Sequence, residues 1–587
     1  MKIGENRQMK NKTMQRAWKI IKPYQKSILI ISILSLLVAI AEIAKPYIVK
    51  VIMDDYLGAG IAQKGFFTIG ILGGIYIAIV LIGNIIDFIA TTAVNMVGQD
   101  AIYNLRNKLY KYIQNANIPF HDKTPAGKLF VRMTNDIEDI SAMFKDVIST
   151  IIKDIILIIA FIVMMIYVST QLSIVALIIV PLILFFSIIA TIIANKLQEK
   201  SKNIRTQFNT FLTESIYGVK IIKIFNIQKE KQQENDELTK KYRKSREPIA
   251  INNSLLPAFM TILENLGICI IVWACTYHWM GIDLQVGIIY MFITYIRQIF
   301  EPVNRVVENV EVVQEAFVSI NKVYEILEEK QNLEDLESGK ALENVKGKIE
   351  FRNVWFSYDE KEWILKNVSF VIEPGQSIAL VGKTGSGKTT IANLINRFYE
   401  IQKGEIYIDD INIKDINIRS LRSHIGIILQ DPFIFAKSIR DNISLGQPMA
   451  DETIEDALRL ASAEHIMQNL DEVAKEQGNS YSLGEKQLIA FARIFAHNPD
   501  IFILDEATAN IDTQTEKLIQ KSIDKISSMK TSIFIAHRLS TIVNVDKIIM
   551  LQDGEIIEQG SHQELLRQNG QYAKLYQVYY DGLTQMV

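Results

Sequence analysis

Six long apolar stretches in the first half of the chain restrict its fold more than any other feature. Each has about the 20 residues that a helix needs to cross a bilayer. They lie at roughly residues 27–53, 66–94, 147–168, 172–194, 255–279 and 286–303. Helices buried in a soluble core would be shorter and fewer, so that alternative is disfavoured. The pattern therefore predicts a bundle of six transmembrane helices.

The distribution of lysine and arginine predicts the orientation of this bundle. The first 26 residues carry eight of these cations, and the long loops at about 98–145 and 195–248 are also rich in them. The short loops at 57–65 and 169–171 have one and none. The positive-inside rule then places both termini and the two long loops in the cytoplasm.

The predicted cytoplasmic segments have helical character of their own. Residues 12–22 are basic and amphipathic, which is typical of an interfacial helix that lies on the membrane surface. The two long loops continue the helical periodicity of the apolar stretches, so we expect helices that extend well beyond the bilayer. Proline and glycine near residues 120–128, and a similar segment at 218–226, predict short turns between these extensions.

Several ionisable residues fall within or near the apolar stretches, where they are costly and often functional. They are Glu42, Asp87, Asp154, Glu264, Arg297 and Glu301. They either line a polar substrate path or form structural ion pairs. Structural pairing is favoured for Glu42, Asp154, Arg297 and Glu301, and the last two are spaced to pair with each other on one helix. Both alternatives stay open for Asp87 and Glu264.

A phosphate-binding loop of the form G-x-x-x-x-G-K-T lies in the second half of the chain. The run 377–381 before it predicts a buried strand, and residues 391–398 after it predict a helix. In that context the loop and the helix N-terminus point backbone N–H groups at phosphate oxygens. Lys388 is expected to hold the β- and γ-phosphates and Thr389 to bind Mg²⁺. The predicted nucleotide-binding residues here are Gly382, Lys383, Thr384, Gly385, Ser386, Gly387, Lys388, Thr389 and Thr390.

Two further apolar runs end in chemically useful side chains. The run 500–506 fits a central parallel strand and ends in Asp505 and Glu506, 117 residues or more past Lys388. Asp505 is expected to complete the Mg²⁺ site, and Glu506 to orient and deprotonate an attacking water. A third residue, His537, follows the run 531–536 and is expected to reach the γ-phosphate.

Short β-rich runs alternate with helices from about residue 347 onward, which is typical of an α/β domain. Residues 348–358 and 364–372 predict a pair of antiparallel strands. Tyr358 ends the first of them and either stacks on an adenine ring or is an ordinary strand aromatic.

Together these features resemble the ABC transporters, specifically exporters that fuse one membrane domain to one nucleotide-binding domain. The motifs that carry the resemblance are Tyr358 (adenine stacking), 382–390 (Walker A), Gln430 (Q-loop), 481–487 (signature), 501–506 (Walker B), 509–512 with Asp512 (D-loop) and His537 (switch histidine). Residues 120–136 and 214–226 resemble the two intracellular loops whose coupling helices dock on nucleotide-binding domains.

The resemblance implies a multi-domain fold: a six-helix transmembrane bundle with long cytoplasmic extensions, fused to an α/β P-loop domain of the ABC type. The expected divisions are 1–26 (cytoplasmic N-terminus with the interfacial helix), 27–313 (six spans), 314–346 (connector) and 347–587 (nucleotide-binding domain).

The resemblance also implies a dimer in the cytoplasmic membrane that uses ATP and Mg²⁺. Each ATP lies between Walker A of one chain and the signature of the other, so Ser482 and Gly484 would donate hydrogen bonds to a nucleotide held by the partner. Gln430 would contact the Mg²⁺ of its own site. Closing and reopening of this sandwich would switch the membrane helices between inward- and outward-facing arrangements.

The signature of this chain departs from the consensus L-S-G-G-Q and reads Y-S-L-G-E at residues 481–485. A carboxylate at Glu485 suits the start of a helix at residues 486–496, but it also places negative charge near phosphates. Since both Walker motifs, Glu506 and His537 are intact, the chain resembles the catalytic-glutamate subunit of a heterodimeric bacterial multidrug exporter. The expected partner has an intact signature and a residue other than Glu after its Walker B aspartate.

These features predict an ATPase that exports amphiphilic small molecules, such as drug-like compounds or lipids. The alternatives are a homodimer that moves lipid or peptide, and an ATP-gated channel or regulatory sensor. A net charge of −2 gives no reason to expect a nucleic-acid partner.

Overall fold

The structure of the chain, a computed structural model, describes residues 2–57, 66–276, 285–329, 333–505, 513–535 and 542–584. The chain divides into two compact units. The first comprises Met1–Gln114 and Thr124–Gln331, and the second comprises Asn115–Lys123 and Asn332–Val587.

The first unit is helical. Its helices are α1 Lys2–Ile21, α2 Gln25–Val51, α3 Phe66–Gln114, α5 Ala126–Val131, α6 Ile137–Ala142, α7 Ser149–Val168, α8 Thr170–Tyr217, α9 Val219–Ile224, α10 Gln228–Thr276 and α11 Val286–Glu328. Short π-helical turns lie at Ile52–Leu57, Arg132–Asp136 and Met143–Ile148. The predicted helical extensions are present, because α3, α8, α10 and α11 each run far beyond the 20 residues that a bilayer requires.

Helices long and apolar enough to cross a membrane account for most of the predicted spans. Within the described residues, five segments meet that criterion by length and composition. The remaining predicted stretch, 172–194, lies inside α8. The described residues of the six apolar stretches are helical. The total of six transmembrane helices stays a prediction.

The N-terminal helix α1 packs against the far end of α11. The guanidinium of Arg16 donates to Glu328 at 2.7 Å and to Asn321 at 2.8 Å, and Asn321 donates to Thr13 at 2.7 Å. The bond from Arg16 holds the pKa of Glu328 at about 2, well below its usual range. This helix is therefore anchored to a protein surface, and the prediction that it also lies on the membrane stays a prediction.

All six ionisable residues that the sequence analysis placed near the apolar stretches form ion pairs. Asp87 pairs with Lys153 at 2.5 Å, Glu42 with Lys45 at 2.6 Å, and fully buried Asp154 with Arg305 at 2.7 Å. Arg297 and Glu301 are also paired, as favoured, but not with each other as their spacing allowed. Arg297 contacts Glu264 at 3.4 Å, and Glu301 contacts Arg305 at 2.5 Å. A partner on a neighbouring helix or one turn further along α11 is closer in each case.

The second unit is built around two sheets. Its strands are β1 Ile349–Phe356, β2 Leu365–Ile372, β3 Ser377–Gly382, β4 Lys403–Ile408, β5 Ile411–Asn412, β6 Ile425–Ile428, β7 Ile501–Asp505, β8 Thr531–Ile535, β9 Lys547–Gln552 and β10 Glu555–Gly560. Its helices are α4 Ile118–Lys123, α12 Lys388–Ile395, α13 Ile418–Ser423, α14 Ile439–Ser444, α15 Asp451–Leu460, α16 Leu483–His497, α17 Thr513–Ser527, α18 His562–Gln568 and α19 Gln571–Thr584.

The larger sheet has the strand order β10-β9-β3-β8-β7-β6, and its strands are parallel except for β10. The smaller sheet has the order β2-β1-β4-β5 and is antiparallel, which confirms the predicted pairing of β1 with β2. The strands β3, β7 and β8 are almost wholly buried, as their continuous apolar sequences require. Their carboxyl ends meet at one edge of the larger sheet, where ligands of α/β folds bind.

The two segments predicted as turns between extended helices are themselves short helices. The first, α4, belongs to the second unit, where Asp122 accepts a hydrogen bond from the hydroxyl of Tyr399. The second, α9, follows Gly218 and exposes apolar side chains such as Ile221 and Ile224. Each helix is six residues long.

Candidate functional site

The phosphate loop connects β3 to α12. The helix begins at Lys388, three residues earlier than the apolar pattern predicted, with Gly387 as its N-cap. Gly387 has a φ of +101°, and a Cβ atom there would lie 2.5 Å from the Leu365 side chain. A Cβ atom at Gly382 would lie 2.2 Å from the carbonyl oxygen of Leu551. Both positions therefore require glycine, and the N-terminus of α12 opens directly onto the loop.

Lys388 is held over this loop by the backbone. Lys388 as a whole is only 5% exposed. Its Nζ donates to the carbonyl oxygens of Gly382 at 2.8 Å and Lys383 at 3.0 Å. A buried ammonium beside the N-terminus of a helix provides a strong attraction for phosphate.

A cavity of about 600 Å³ lies in front of the loop, a volume typical of a small-molecule site. It is lined by Tyr358, Ile364, Thr384, Gly385, Gly387, Lys388, Thr389, Thr390, Gln430 and Asp505. The structure thus brings together residues from four of the predicted motifs, which are separated by up to 147 positions in the sequence.

Oxygen atoms suited to Mg²⁺ meet in this cavity. The hydroxyl of Thr389 donates to Oδ2 of Asp505 at 3.2 Å, and the side chain of Gln430 lines the same space. Within the described part of the chain, no cluster of three His, Cys, Asp or Glu side chains forms a metal cage. Hydroxyl, amide and carboxylate oxygens that share the ion with nucleotide phosphates are the donor set that Mg²⁺ uses, so the residues fit this ion.

Tyr358 stands at the wall of the cavity, two residues past the end of β1, and so is not a strand residue. Its hydroxyl lies 3.2 Å from Thr390 Oγ1, and its ring packs edge-on against Phe356 and Tyr399, each at 4.8 Å between centroids. Burial and the bond to Asp122 raise the pKa of Tyr399, which therefore stays a neutral phenol. These contacts fix the Tyr358 ring while leaving it 42% exposed, as stacking on a base requires.

The signature segment forms the start of α16. This helix begins at Leu483, earlier than predicted, with Ser482 as its N-cap and Glu485 in its first turn. The two side chains form a capping box. The Glu485 carboxylate accepts from the Ser482 backbone N–H at 2.8 Å and from the Ser482 hydroxyl at 2.9 Å. The carboxylate of Glu485 therefore occupies the donors of Ser482 within its own chain.

Comparison with known proteins decides the family. A family model of the ABC transporter transmembrane region matches residues 28–303, and a model described as ABC transporter matches residues 365–509. A Bacillus subtilis protein, named as a probable multidrug resistance ABC transporter ATP-binding/permease protein YheH, is 39% identical over 81% of this chain and 72% of its own length. This chain belongs to the ABC transporter family.

Two further relatives match this ABC transporter along almost its whole length. The ATP-dependent lipid A-core flippase of Syntrophus aciditrophicus is 32% identical and is covered over 94% of its length by 96% of this chain. A solved bacterial Atm1-family ABC exporter with ATP bound shares the fold, with a TM-score of 0.78 and 26% identity. That match covers 95% of this chain and 99% of the exporter.

Membership in the family confirms the fused architecture and the activity class. The chain is a multi-pass membrane protein that carries one helical membrane region and one α/β nucleotide-binding domain. It binds ATP, couples ATP hydrolysis to transport, and as a half-transporter must pair with another ABC chain.

Three predicted residues of this ABC transporter, Glu506, Asp512 and His537, lie outside the described residues. The strands that lead to the first and last of them are described. Asp505 and Ile535, which end β7 and β8, are register partners in the parallel sheet. The roles of all three residues remain predictions.

The sequence reasoning placed one further residue, Gln487, in the signature segment but assigned it no role. Gln487 in α16 is buried, and its Nε2 donates to the backbone carbonyl of Gln430 at 3.0 Å. It lies on the apolar face of the helix with Gly484, Leu488 and Phe491, all of which are buried. A glutamine on an apolar helix face could have indicated a buried hydrogen bond. Its partner, however, lies 57 residues away, and no single motif contains both residues.

Proposed function

We propose that this ABC transporter exports amphiphilic small molecules across the cytoplasmic membrane as one subunit of a heterodimer. Its relatives support the export of such compounds, since their names include multidrug resistance and lipid flipping. The excess of lysine and arginine in the first 26 residues and in both long loops supports cytoplasmic termini. The proposed division of the chain is 1–26, 27–313, 314–346 and 347–587.

The chain supplies a complete set of groups to its own nucleotide site. Lys388 binds the β- and γ-phosphates, and Tyr358 stacks on the adenine. Thr389, Gln430 and Asp505 hold Mg²⁺, which neutralises charge on the phosphates.

Three further residues act on the nucleophile and the nucleotide. Glu506 takes a proton from the attacking water, which becomes the nucleophile at the γ-phosphorus. His537, the switch histidine, and Asp512, of the D-loop motif, contact the nucleotide. This chain thus supplies the phosphate-binding, Mg²⁺-binding and water-activating groups of the site, and the partner's signature completes it.

The main observation that supports a heterodimer is the capping box between Ser482 and Glu485. In the sandwich, Ser482 and Gly484 must donate to the nucleotide that the partner holds. Here the Ser482 hydroxyl and N–H both donate to the chain's own Glu485 carboxylate. An incoming γ-phosphate would have to displace that carboxylate and would also be repelled by it.

The two composite sites of the assembly are therefore unequal. The site at Lys388 is competent if the partner brings an intact L-S-G-G-Q signature. The other site, which faces Glu485, turns over slowly, so its catalytic glutamate is dispensable. We expect the partner to carry another residue, such as Asp, at that position.

A homodimer that moves lipid is the second candidate. The similarity to lipid A-core flippases over nearly the full chain favours it. In such a homodimer both sites would combine good catalytic groups with a self-capped signature, and both would be slow.

Transport in inverted membrane vesicles tests the export function. Vesicles from cells that express this chain with the ABC chain encoded beside it should accumulate a fluorescent amphiphile when MgATP is added. Vesicles carrying Lys388→Ala should not, because that variant removes the phosphate-binding cation. Equal accumulation with both forms would contradict ATP-driven export by this chain.

A further inference from the structure

A polar cleft of about 610 Å³ lies between α8, α10 and α11, where these helices extend beyond the apolar stretches. Of the side chains that line it, only that of Val318 is apolar. Helices that pack together in water normally meet through apolar side chains. The volume of the polar cleft is in the range of small-molecule sites, and its lining suits a hydrophilic ligand.

The wall that α8 contributes is one continuous polar face. Asn195, Glu199, Lys202 and Arg205 line the polar cleft and follow one another at spacings of three or four residues. This spacing places all four on the same side of the helix. Arg246 of α10 lines the same space. An apolar stripe is expected where a helix packs on its neighbours, so packing does not explain this face.

The charged groups of the polar cleft are largely unpaired. Lys202, Arg205 and Arg246 form no ion pair within the described part of the chain. The same holds there for two carboxylates of the lining, those of Glu199 and Glu315. The unpaired groups thus carry an excess of positive charge, which attracts an anion.

Direct contacts between α8 and α10 fix the first wall of the polar cleft. The hydroxyls of Ser201 and Ser245 lie 3.1 Å apart, and Ser201 is buried. The rings of Phe208 and Tyr242 are stacked, with centroids 6.0 Å apart. The cations on these two helices are therefore held on a rigid support.

The opposite wall, on α11, is fixed in the same way. The hydroxyl of buried Ser319 donates to Asp139 at 2.8 Å, and Lys322 donates to Asp136 at 3.0 Å. Ser319, Lys322 and Asp139 all line the polar cleft, and their polar groups are satisfied by these contacts. Since both walls are built in advance, a ligand can bind with little cost in ordering them.

We propose that the polar cleft binds a small organic anion that carries two or more carboxylate or phosphate groups. The guanidinium groups of Arg205 and Arg246 each offer a planar fork for one such group, and Lys202 adds a third cation. Glu199 and Glu315 accept from hydroxyl or amine groups of the same ligand.

This site goes beyond the proposed function, because its ligand is neither the nucleotide nor the exported amphiphile. The proposed orientation places the polar cleft in the cytoplasm, so the ligand is a hydrophilic solute of the cytosol. A bound anion joins α8 and α10 to α11, since all three helices line the cleft.

Equilibrium dialysis of the full chain, purified with the ABC chain encoded beside it, tests the site. The probes are citrate, a tricarboxylate, and tripolyphosphate, and acetate is the monovalent comparison. Nucleotide and Mg²⁺ are absent, and the ionic strength is about 0.15 M, which screens exposed charges. Tripolyphosphate is also measured in Lys388→Ala, which weakens phosphate binding at the nucleotide site. Citrate, tripolyphosphate or both should bind saturably, and acetate should not.

Paired variants locate the binding. Arg205→Gln with Arg246→Gln removes both forks and should weaken binding by about tenfold or more. The matched control, Lys200→Gln with Lys244→Gln, removes one exposed cation from each of the same helices outside the polar cleft. It should change the affinity little. Arg205→Lys with Arg246→Lys keeps both charges without the forks and should lose a smaller part of the affinity. This pair replaces the glutamine pair if the latter does not fold.

The outcomes are distinct. Loss of binding in the arginine variants and retention in the control support the site, and the anion that binds more tightly shows whether it takes carboxylate or phosphate. Equal loss in the arginine variants and the control overturns the proposal, because general surface charge then explains the binding. So does wild-type affinity in the arginine variants, or the absence of saturable binding of either anion. No transport or ATP is measured, so failure here leaves the proposed export function standing.

Discussion

The hydroxyl of Thr389 donates a hydrogen bond to the carboxylate of Asp505 across 3.2 Å, although the two residues are 116 positions apart in the chain. Thr389 is the second residue of α12, and Asp505 is the last residue of β7. The parallel sheet brings them together because β3 and β7 end at the same edge, on either side of β8. The contact joins the Walker A and Walker B motifs at the proposed Mg²⁺ site.

Removing the Thr389 hydroxyl should weaken Mg²⁺ binding. We expect Thr389→Ala to raise the Mg²⁺ concentration for half-maximal ATPase by about tenfold, the loss expected for one charge-assisted contact. Thr389→Ser keeps the hydroxyl and should restore the wild-type value. The measurement is a Mg²⁺ titration of ATPase at saturating ATP. Equal Mg²⁺ dependence in Thr389→Ala and the wild type would exclude Thr389 as a ligand.

Glu506→Gln should keep ATP binding and lose turnover. The amide preserves shape but cannot accept the proton of the attacking water, and general-base losses are about 10²–10⁴-fold. ATP affinity and steady-state ATPase should be measured on the assembled transporter. Turnover near the wild-type rate would show that Glu506 is not the base.

The capping box offers a matched pair of variants, because α18 has the same motif in Ser561 and Glu564. Glu485→Gln and Glu564→Gln both remove a carboxylate from a capping box, so both should affect helix stability similarly. Only Glu485→Gln should strengthen ATP binding at the partner's site. Charges about 4 Å apart repel by about 1–4 kcal/mol near a protein surface, so a gain of at least about fivefold is expected.

The two variants are compared by measuring nucleotide affinity at the two composite sites, and helix stability is compared by thermal unfolding. A gain in affinity with both variants would point to a general effect of charge. No gain with either variant would mean that Glu485 only caps its helix.

Charge exchange separates the two interpretations that remained open for Asp87. Asp87→Lys places two cations where Asp87 and Lys153 now lie 2.5 Å apart, and should lower Tm by about 2–4 °C. Combining it with Lys153→Asp restores the pair with its charges exchanged. If Asp87 is structural, the double variant should recover both Tm and transport. Recovery of Tm without transport of cationic compounds would show that Asp87 faces the substrate.

Local patterns predicted much of this structure. Hydrophobic runs located β3, β7 and β8 within a few residues, because burial on both faces demands continuous apolar sequence. Helix starts were less accurate. The N-caps Gly387 and Ser482 decide where α12 and α16 begin, whereas the apolar periodicity starts later.

Contacts between distant residues could not be read from the sequence. Arg297 pairs with Glu264 on α10 because the two helices meet there, and spacing along α11 alone suggested Glu301. The bond from Gln487 to Gln430 likewise depends on how α16 packs against the Q-loop. Motif positions marked the nucleotide site, but the self-capping of Ser482 required the geometry of the helix start.

ATPase of the purified chain, alone and with the ABC chain encoded beside it, tests the central claim most directly. The proposed heterodimer predicts slow, unstimulated hydrolysis by this chain alone and substrate-stimulated hydrolysis by the pair. In the pair, Glu506→Gln should abolish turnover, while altering the equivalent residue of the partner should have little effect. A stable homodimer of this chain with full substrate-stimulated ATPase, and no gain on adding the second chain, would contradict the account.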